Sequence, residues 1–160
     1  IMDSSTNDIK IFDSSIQIIN ENGQAFEVKS KNSTLNNYKN LIRAYDSVNI
    51  SPLQDNKSFI KTNSLDWYLN TSEIYFNNPL HINLNNTKII SLKGYYNIDL
   101  GQLEANNNII NKSILNNDGK KIYQIKVTAD FVKWLKHSNS LEFTSNNKQV
   151  ETIIDILAIE

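Results

Sequence analysis

A spacing of apolar and small residues that recurs four times constrains the fold of this chain more than any other feature. Its clearest copy lies within residues 59–82 and consists of Ile60, Thr62, Leu65, Trp67, Ile74, Phe76, Leu80 and Ile82. The same spacing, applied without gaps, starts again at Val28 and runs to Ile50; from Ile89 it runs as far as Ile109 and misses at Asn111, and from Val127 it runs as far as Phe143 and then loses phase. A spacing taken from one segment and found in three others indicates an internal repeat.

Each copy alternates inward and outward positions with a period of two, which is typical of half-buried antiparallel strands. The step from Thr62 to Leu65 is odd, so a strand that continues through it must bulge or bend to keep both residues on one face. Four strand pairs that each have one apolar face must stack to bury it. The sequence therefore predicts an all-β fold, a twisted, slightly open antiparallel β-jelly roll; a flattened barrel, a sandwich and a short β-solenoid are the alternatives.

The 160 residues suit one domain, which we place at residues 9–160, after a polar segment 1–8 that we expect to be disordered. Asn-Gly at residues 22–23 lies between two apolar runs and predicts a β-hairpin. No segment shows convincing helical periodicity. The nearest rival, ADFVKWL at residues 129–135, falls on the repeat spacing and is predicted to be a strand.

Composition excludes several classes of function. The formal net charge is −1 and Arg43 is the only arginine, which argues against binding to nucleic acid. The chain has no cysteine, and His81 and His137 lack metal-ligand spacing, so no metal or cofactor is expected. No nucleophile-elbow or phosphate-loop motif occurs among the four glycines, and we expect no enzymatic activity.

The aromatic residues of the repeat admit two interpretations. Trp67 and Trp134 occupy equivalent positions, and core packing is the more ordinary role for them. The functional alternative is an interior groove that accepts a long lipid tail. The positions assigned to its wall are Leu35, Ile42, Ile60, Leu65, Trp67, Ile74, Phe76, Ile89, Tyr96, Leu103, Val132, Trp134, Leu141 and Phe143. Four lysines flank strands of adjacent repeat units, and they are Lys57, Lys61, Lys88 and Lys93. Their position is explained either by solvated strand edges or by contacts with lipid phosphates.

Four stretches carry a resemblance to a known family. SIQIINENGQAFEVKSKNSTL resembles the opening of LptC-type proteins, and KSFIKTNSLDWYLNTSEIYFNNPLHI resembles their middle segment. IISLKGYYNIDLGQLEA is similar to the Gly-plus-aromatic segment that follows. IKVTADFVKWLKHSNSLEFTSNNKQV resembles the Ile-x-Ala-Asp unit of the wider OstA-like family, which includes LptA. The resemblance covers residues 15–150 and favours the LptC type.

The resemblance implies a periplasmic component of the lipopolysaccharide-transport bridge, which shields acyl chains in an interior groove. Its expected partners are lipopolysaccharide, an LptA-type bridge protein, the inner-membrane transporter complex and further copies of this chain. An N-terminal helix outside this sequence is expected to anchor it to the inner membrane. Strand addition is expected at two edges, within 9–19 and 152–159, that include Ile9, Ile11, Ile16, Ile18, Ile153, Ile154 and Ile156.

Two other classes of function stay open on the sequence alone. One is a structural or adhesion β-repeat protein with a packed core and no ligand. The other is a carbohydrate-active protein that uses an acidic pair drawn from Asp66, Asp99 and Asp130. The second class requires two carboxylates about 5–10 Å apart in a cleft.

Overall fold

Thirteen β-strands make up the described part of the chain. The computed structural model describes residues 2–3, 8–19, 25–53, 57–84, 86–135, 138, 140–146 and 149–156, and no helix occurs among them. The strands are β1 (Met2–Asp3), β2 (Asp8–Ile19), β3 (Ala25–Asn36), β4 (Leu41–Pro52), β5 (Phe59–Tyr68), β6 (Glu73–Phe76), β7 (Leu80–Leu84), β8 (Thr87–Ser91), β9 (Lys93–Asn97), β10 (Gln102–Leu115), β11 (Lys121–Leu135), β12 (Ser140–Thr144) and β13 (Glu151–Ile156).

All thirteen strands belong to one antiparallel sheet that is folded into two layers. The long strands β2, β3, β4, β5, β10 and β11 contribute one half to each layer. In the first layer β5 pairs with β6, β10 with β9, and β11 with β12. In the second layer the other halves of the same strands pair with β7, β8 and β13. The predicted all-β antiparallel jelly roll is therefore confirmed.

The long strands cross between layers at a line of bends, which is where the repeat spacing takes its odd step. The pairing of β3 with β4 shifts register between Lys29 and Asn32, and the pairing of β4 with β5 shifts between Tyr45 and Val48. Asp46, Ser47 and Asn107 have φ values of 62°, 63° and 54° at these bends. A left-handed residue inserted in a strand is a bulge that turns the strand, so the predicted bend is confirmed.

The core lies between the two layers and is built from the inward positions of the repeat. Cross-strand neighbours form continuous apolar rows, such as Val28, Ile50, Ile60, Ile82, Ile89, Ile110 and Val127 in the second layer. All seven are buried. The Phe26 ring of the second layer meets the Tyr96 ring of the first layer edge-on at 6.1 Å between centroids. The inward positions of the sequence alternation therefore face one interior that both layers share.

One inward assignment is wrong. The repeat spacing places Ile109 inside, but its side chain is 41% exposed, whereas Ile110 is 2% exposed. The left-handed Asn107 adds one residue to β10, and a shift by one residue exchanges the two faces of a strand.

The chain ends and the first hairpin are described in part. Of residues 1–8, expected to be disordered, the structure describes Met2, Asp3 and Asp8, and all three lie in strands. Strands β2 and β3 pair from Asp8 with Asn36 to Ile19 with Ala25, as expected of a hairpin. Its Asn-Gly turn lies outside the described residues.

Candidate functional site

Most positions assigned to the groove lie in two cross-strand rows on the inner face of the first layer. The first row runs through Leu35, Ile42, Trp67, Ile74, Tyr96, Leu103, Trp134 and Leu141. The second row, nearer the bends, contains Leu65, Phe76, Val132 and Phe143. Ile60 and Ile89 face them from the second layer. The structure therefore brings all fourteen assigned positions to one interior.

Close packing fills most of that interior. Leu65, Ile74, Phe76, Ile89 and Leu103 are each at most 2% exposed and belong to one hydrophobic cluster. Leu35, Trp134, Leu141 and Phe143 are only partly buried, and they pack against the cluster from its margins. The deep positions are therefore core residues, while the marginal positions are accessible from outside.

A small apolar cleft opens at the mouth between the layers, at the side away from the bends. Its volume is about 40 Å³, little more than one water molecule occupies. Tyr96 and Trp134 line it from the first layer, and its other lining residues are Phe26, Ile50, Pro52, Ser58, Phe59, Ile60 and Leu84. Phe26, Phe59 and Leu84 are absent from the sequence-based assignment, although Phe26 and Leu84 follow the same alternation of inward positions as Val28 and Ile82.

A line of buried polar side chains closes the interior along the bends. We call this the polar seam, and it consists of Ser14, Ser30, Ser33, Thr62, Ser91 and Asn108. The three serine hydroxyls lie 2.7 Å from one another, and Thr62 Oγ1 donates to the Pro79 carbonyl at 3.1 Å. Ser91 donates to Asn108, whose Nδ2 donates to the Ala105 carbonyl at 2.8 Å. These bonds satisfy polar groups where the bends interrupt the strand ladder.

Both expected edges are edge strands. Within the described residues, β2 pairs with β3 along its length and with the short β1 only at Asp8 and Ile9. Strand β13 pairs only with β11 among the described strands. Ile11, Ile153 and Ile154 are 37%, 44% and 60% exposed, and Ile9 and Ile16 are partly buried. The side chains of Ile18 and Ile156 lie outside the described part of the structure.

The other polar candidates are not gathered into one site. His81, Lys61 and Lys88 lie on the outer face of the second layer. Lys57 is exposed in the turn before β5 and Lys93 at the start of β9, and His137 lies outside the described residues. Asp99 lies in the turn before β10. Asp66 in β5 and Asp130 in β11 are four strand spacings apart, about 19 Å. Among the described residues no group of three His, Asp or Glu side chains is placed to hold a metal ion.

A cluster of tyrosines on the outer face of the first layer was not anticipated from the sequence. The Tyr68 and Tyr75 rings meet at 5.6 Å and 89°, and the Tyr75 and Tyr95 rings at 5.2 Å and 57°. Glu73 Oε2 accepts hydrogen bonds from Thr71 (2.9 Å) and Tyr75 (3.3 Å), and Oε1 accepts one from Tyr95 (2.9 Å). The hydrogen bonds from Thr71, then Tyr95, lower the pKa of Glu73 below its ordinary value.

A surface cavity of about 370 Å³ lies over part of this cluster, lined by Asp66, Tyr68, Thr71, Glu73, Tyr75 and Asn77. Arg43 Nε donates to Asp66 Oδ1 at 3.0 Å at its border. The only sequence signal for this site is that Tyr68, Tyr75 and Tyr95 all fall on outward positions of the repeat.

The fold and the two surfaces define an all-β protein with an apolar mouth between two layers and an aromatic, acidic cavity on one outer face. Comparison of the chain with protein-family models and with curated protein sequences gives no match. Across the described residues, no helix has both the length and the apolar character needed to cross a membrane.

Proposed function

We propose that this chain is a non-enzymatic, periplasmic carrier that binds lipopolysaccharide and bridges other components of the lipopolysaccharide export machinery. The observation that carries the proposal is the apolar mouth, where Tyr96 and Trp134 of one layer face Phe26 and Leu84 of the other. The edge strands β2 and β13 support it, because within the described residues a second strand covers the outer side of β2 only at Asp8 and Ile9 and that of β13 nowhere, which suits strand addition by a partner.

Acyl chains enter this interior at the mouth and then separate the layers. Each methylene group that leaves water gains about 0.8 kcal/mol, so a long chain has a strong drive toward an apolar lining. The cleft of about 40 Å³ holds only the tip of such a chain. Its entry therefore displaces the partly buried Trp134, Leu141 and Phe143, which cover the margin of the cluster.

Site-specific photo-crosslinking tests the proposal on matched positions of two paired strands. Trp134 and Leu141 are cross-strand neighbours facing inward, whereas Lys133 and Glu142 are cross-strand neighbours facing outward. A photoreactive side chain at Trp134 or Leu141 is expected to capture lipopolysaccharide, and the same group at Lys133 or Glu142 is not. Equal capture at the inward and outward positions would contradict binding between the layers.

A structural or adhesion β-repeat protein is the second candidate, and the packed interior favours it. Ala44, Leu80 and Leu103 are fully buried, and the cleft at the mouth is small. This candidate predicts no capture of lipid at any of the four crosslinking positions. It also predicts that lipopolysaccharide leaves the free energy of unfolding unchanged, whereas a ligand that binds only the folded state raises it.

A further inference from the structure

We infer that the cavity between Tyr68 and Tyr75 binds an organic cation, specifically a substituted ammonium group. We call it the tyrosine cavity, and its lining is the six residues from Asp66 to Asn77 named above. It lies on the outer face of the first layer, so it is separate from the mouth and does not depend on the lipid-carrier proposal.

The shape of the tyrosine cavity suits a compact group several atoms across. Tyr68 and Tyr75 stand at 89° to each other and form a corner. Both side chains are more than one-third exposed, at 39% and 38%, so the corner is open to solvent. A volume of about 370 Å³ exceeds what a bare metal ion fills, and it accommodates a methylated ammonium group with its substituents.

The net negative charge of the side chains around the tyrosine cavity favours a cation as its ligand. Asp66, Glu73 and Glu104 are cross-strand neighbours of Tyr75, Tyr68 and Tyr95. Arg43 forms an ion pair with Asp66, and Lys133 is the cross-strand neighbour of Glu104. Three carboxylates against these two basic side chains leave a net negative surface. The faces of tyrosine rings carry negative potential as well, and aromatic corners of this kind attract ammonium groups.

The hydrogen bonds around Glu73 fix the carboxylate before any ligand arrives. Three hydroxyl donors, from Thr71, Tyr75 and Tyr95, hold its two oxygens and bind the Tyr75 ring to the same group. Asn97 Nδ2 in turn donates to the Tyr95 hydroxyl at 3.3 Å. The charge and the rings are therefore held in place, which reduces the entropy lost on binding.

A titration with choline chloride, followed by NMR of the tyrosine ring signals at constant ionic strength, tests the inference. The uncharged isostere 3,3-dimethylbutan-1-ol has the same shape and is the matched control ligand. We expect a saturable shift of the Tyr68 and Tyr75 signals with choline at millimolar concentrations. We expect binding of the isostere to be weaker by about tenfold.

Variants separate the ring faces from the hydroxyl groups. Tyr75→Leu and Glu73→Gln are each expected to weaken choline binding by about tenfold, whereas Tyr75→Phe keeps the ring and stays within about twofold. Tyr38→Leu is the control, because Tyr38 is 88% exposed and outside the cavity. If Tyr75→Leu does not fold, Tyr68→Leu replaces it.

Several results would overturn the inference. Choline would give no saturable shift, or choline and its isostere would bind equally well. Alternatively, Tyr75→Leu would keep wild-type affinity for choline, or glucose would shift the Tyr68 and Tyr75 signals and choline would not. A failure of lipid capture at Trp134 bears only on the mouth, and leaves the result at the tyrosine cavity unaffected.

Discussion

At the scale of single residues, Asn108 joins the polar seam to the backbone of β10. It is 1% exposed, accepts a hydrogen bond from Ser91 and donates one to the Ala105 carbonyl. Asn108→Ala leaves both partners buried without these bonds, so we expect it to lower the free energy of unfolding by about 2–3 kcal/mol in urea titrations. Asn106→Ala, at an exposed position on the same strand, is the control, and an equal loss there would contradict this role.

Ionisation of Tyr96 is expected to lower the free energy of unfolding at alkaline pH. Burial raises the pKa of Tyr96 to about 12 from an ordinary value of 10.0. A raised pKa in the folded state favours the neutral phenol, so the stabilisation is complete below about pH 10 and is lost as pH rises toward about 12. Two pKa units correspond to about 3 kcal/mol. Urea titrations across this range are expected to show a smaller loss for Tyr96→Phe than for wild type.

Tyr38→Phe is the control for that experiment, because Tyr38 is 88% exposed in the turn after β3. It is expected to keep the wild-type loss of stability between the two pH values. If Tyr96→Phe loses stability in parallel with wild type, ionisation of Tyr96 is not the cause of the alkaline sensitivity.

At the scale of strands, the close pairing of β9 and β10 depends on Gly94. A methyl group added there meets Leu80 Cδ1 at 3.0 Å, the Glu104 carbonyl oxygen at 3.2 Å and Phe76 Cδ2 at 3.4 Å. Because the carbonyl belongs to the paired strand, it moves only if the pairing is distorted. Gly94→Ala is therefore expected to cost about 1–3 kcal/mol in thermal or urea unfolding, against less than about 0.5 for the exposed neighbour Lys93→Ala.

The strands themselves were largely predictable, because one face of each is buried and alternation is therefore visible in the sequence. The odd step between Thr62 and Leu65 predicted the bends, since the inward face is conserved across a bulge only if the spacing changes parity. Ile109 was assigned wrongly because it is followed by Ile110. With two adjacent isoleucines, apolarity alone does not show which one faces inward, and the left-handed Asn107 decides it.

The cluster of Tyr68, Tyr75 and Tyr95 around the tyrosine cavity was not predictable for a topological reason. Its rings come from β5, β6 and β9, and the pairing of β6 with β9 bypasses the intervening β7 and β8. The spacing of residues along the chain does not indicate that Tyr75 and Tyr95 are cross-strand neighbours. The lining of the mouth was predicted only in part for a related reason. Phe26 and Leu84 were missed because they line the mouth from the strand ends that lie away from the bends.

At the scale of the whole molecule, the described part of the sheet ends at β1 and β2 on one side and at β12 and β13 on the other. An exposed strand edge is a template for pairing with another chain. Gln17 of β2 and Ile153 of β13 are both exposed on the outer face of the second layer. If copies of the chain join edge to edge in this layer, these two positions come together across the joint.

The absence of cysteine from the sequence allows a direct test of that joint. In Gln17→Cys/Ile153→Cys, strand addition brings the two thiols near the Cα separation of about 4.4–6.8 Å that a disulfide requires. Mild oxidation is expected to give a ladder of covalent dimers and longer oligomers on a non-reducing gel. A head-to-tail joint uses two different edges, so a dimer still has one free edge of each kind and can add further copies. Gln17→Cys/Tyr38→Cys keeps one edge thiol and moves the other to a turn. A ladder of equal length in this control would show random collision, and the edges would then have no part in assembly.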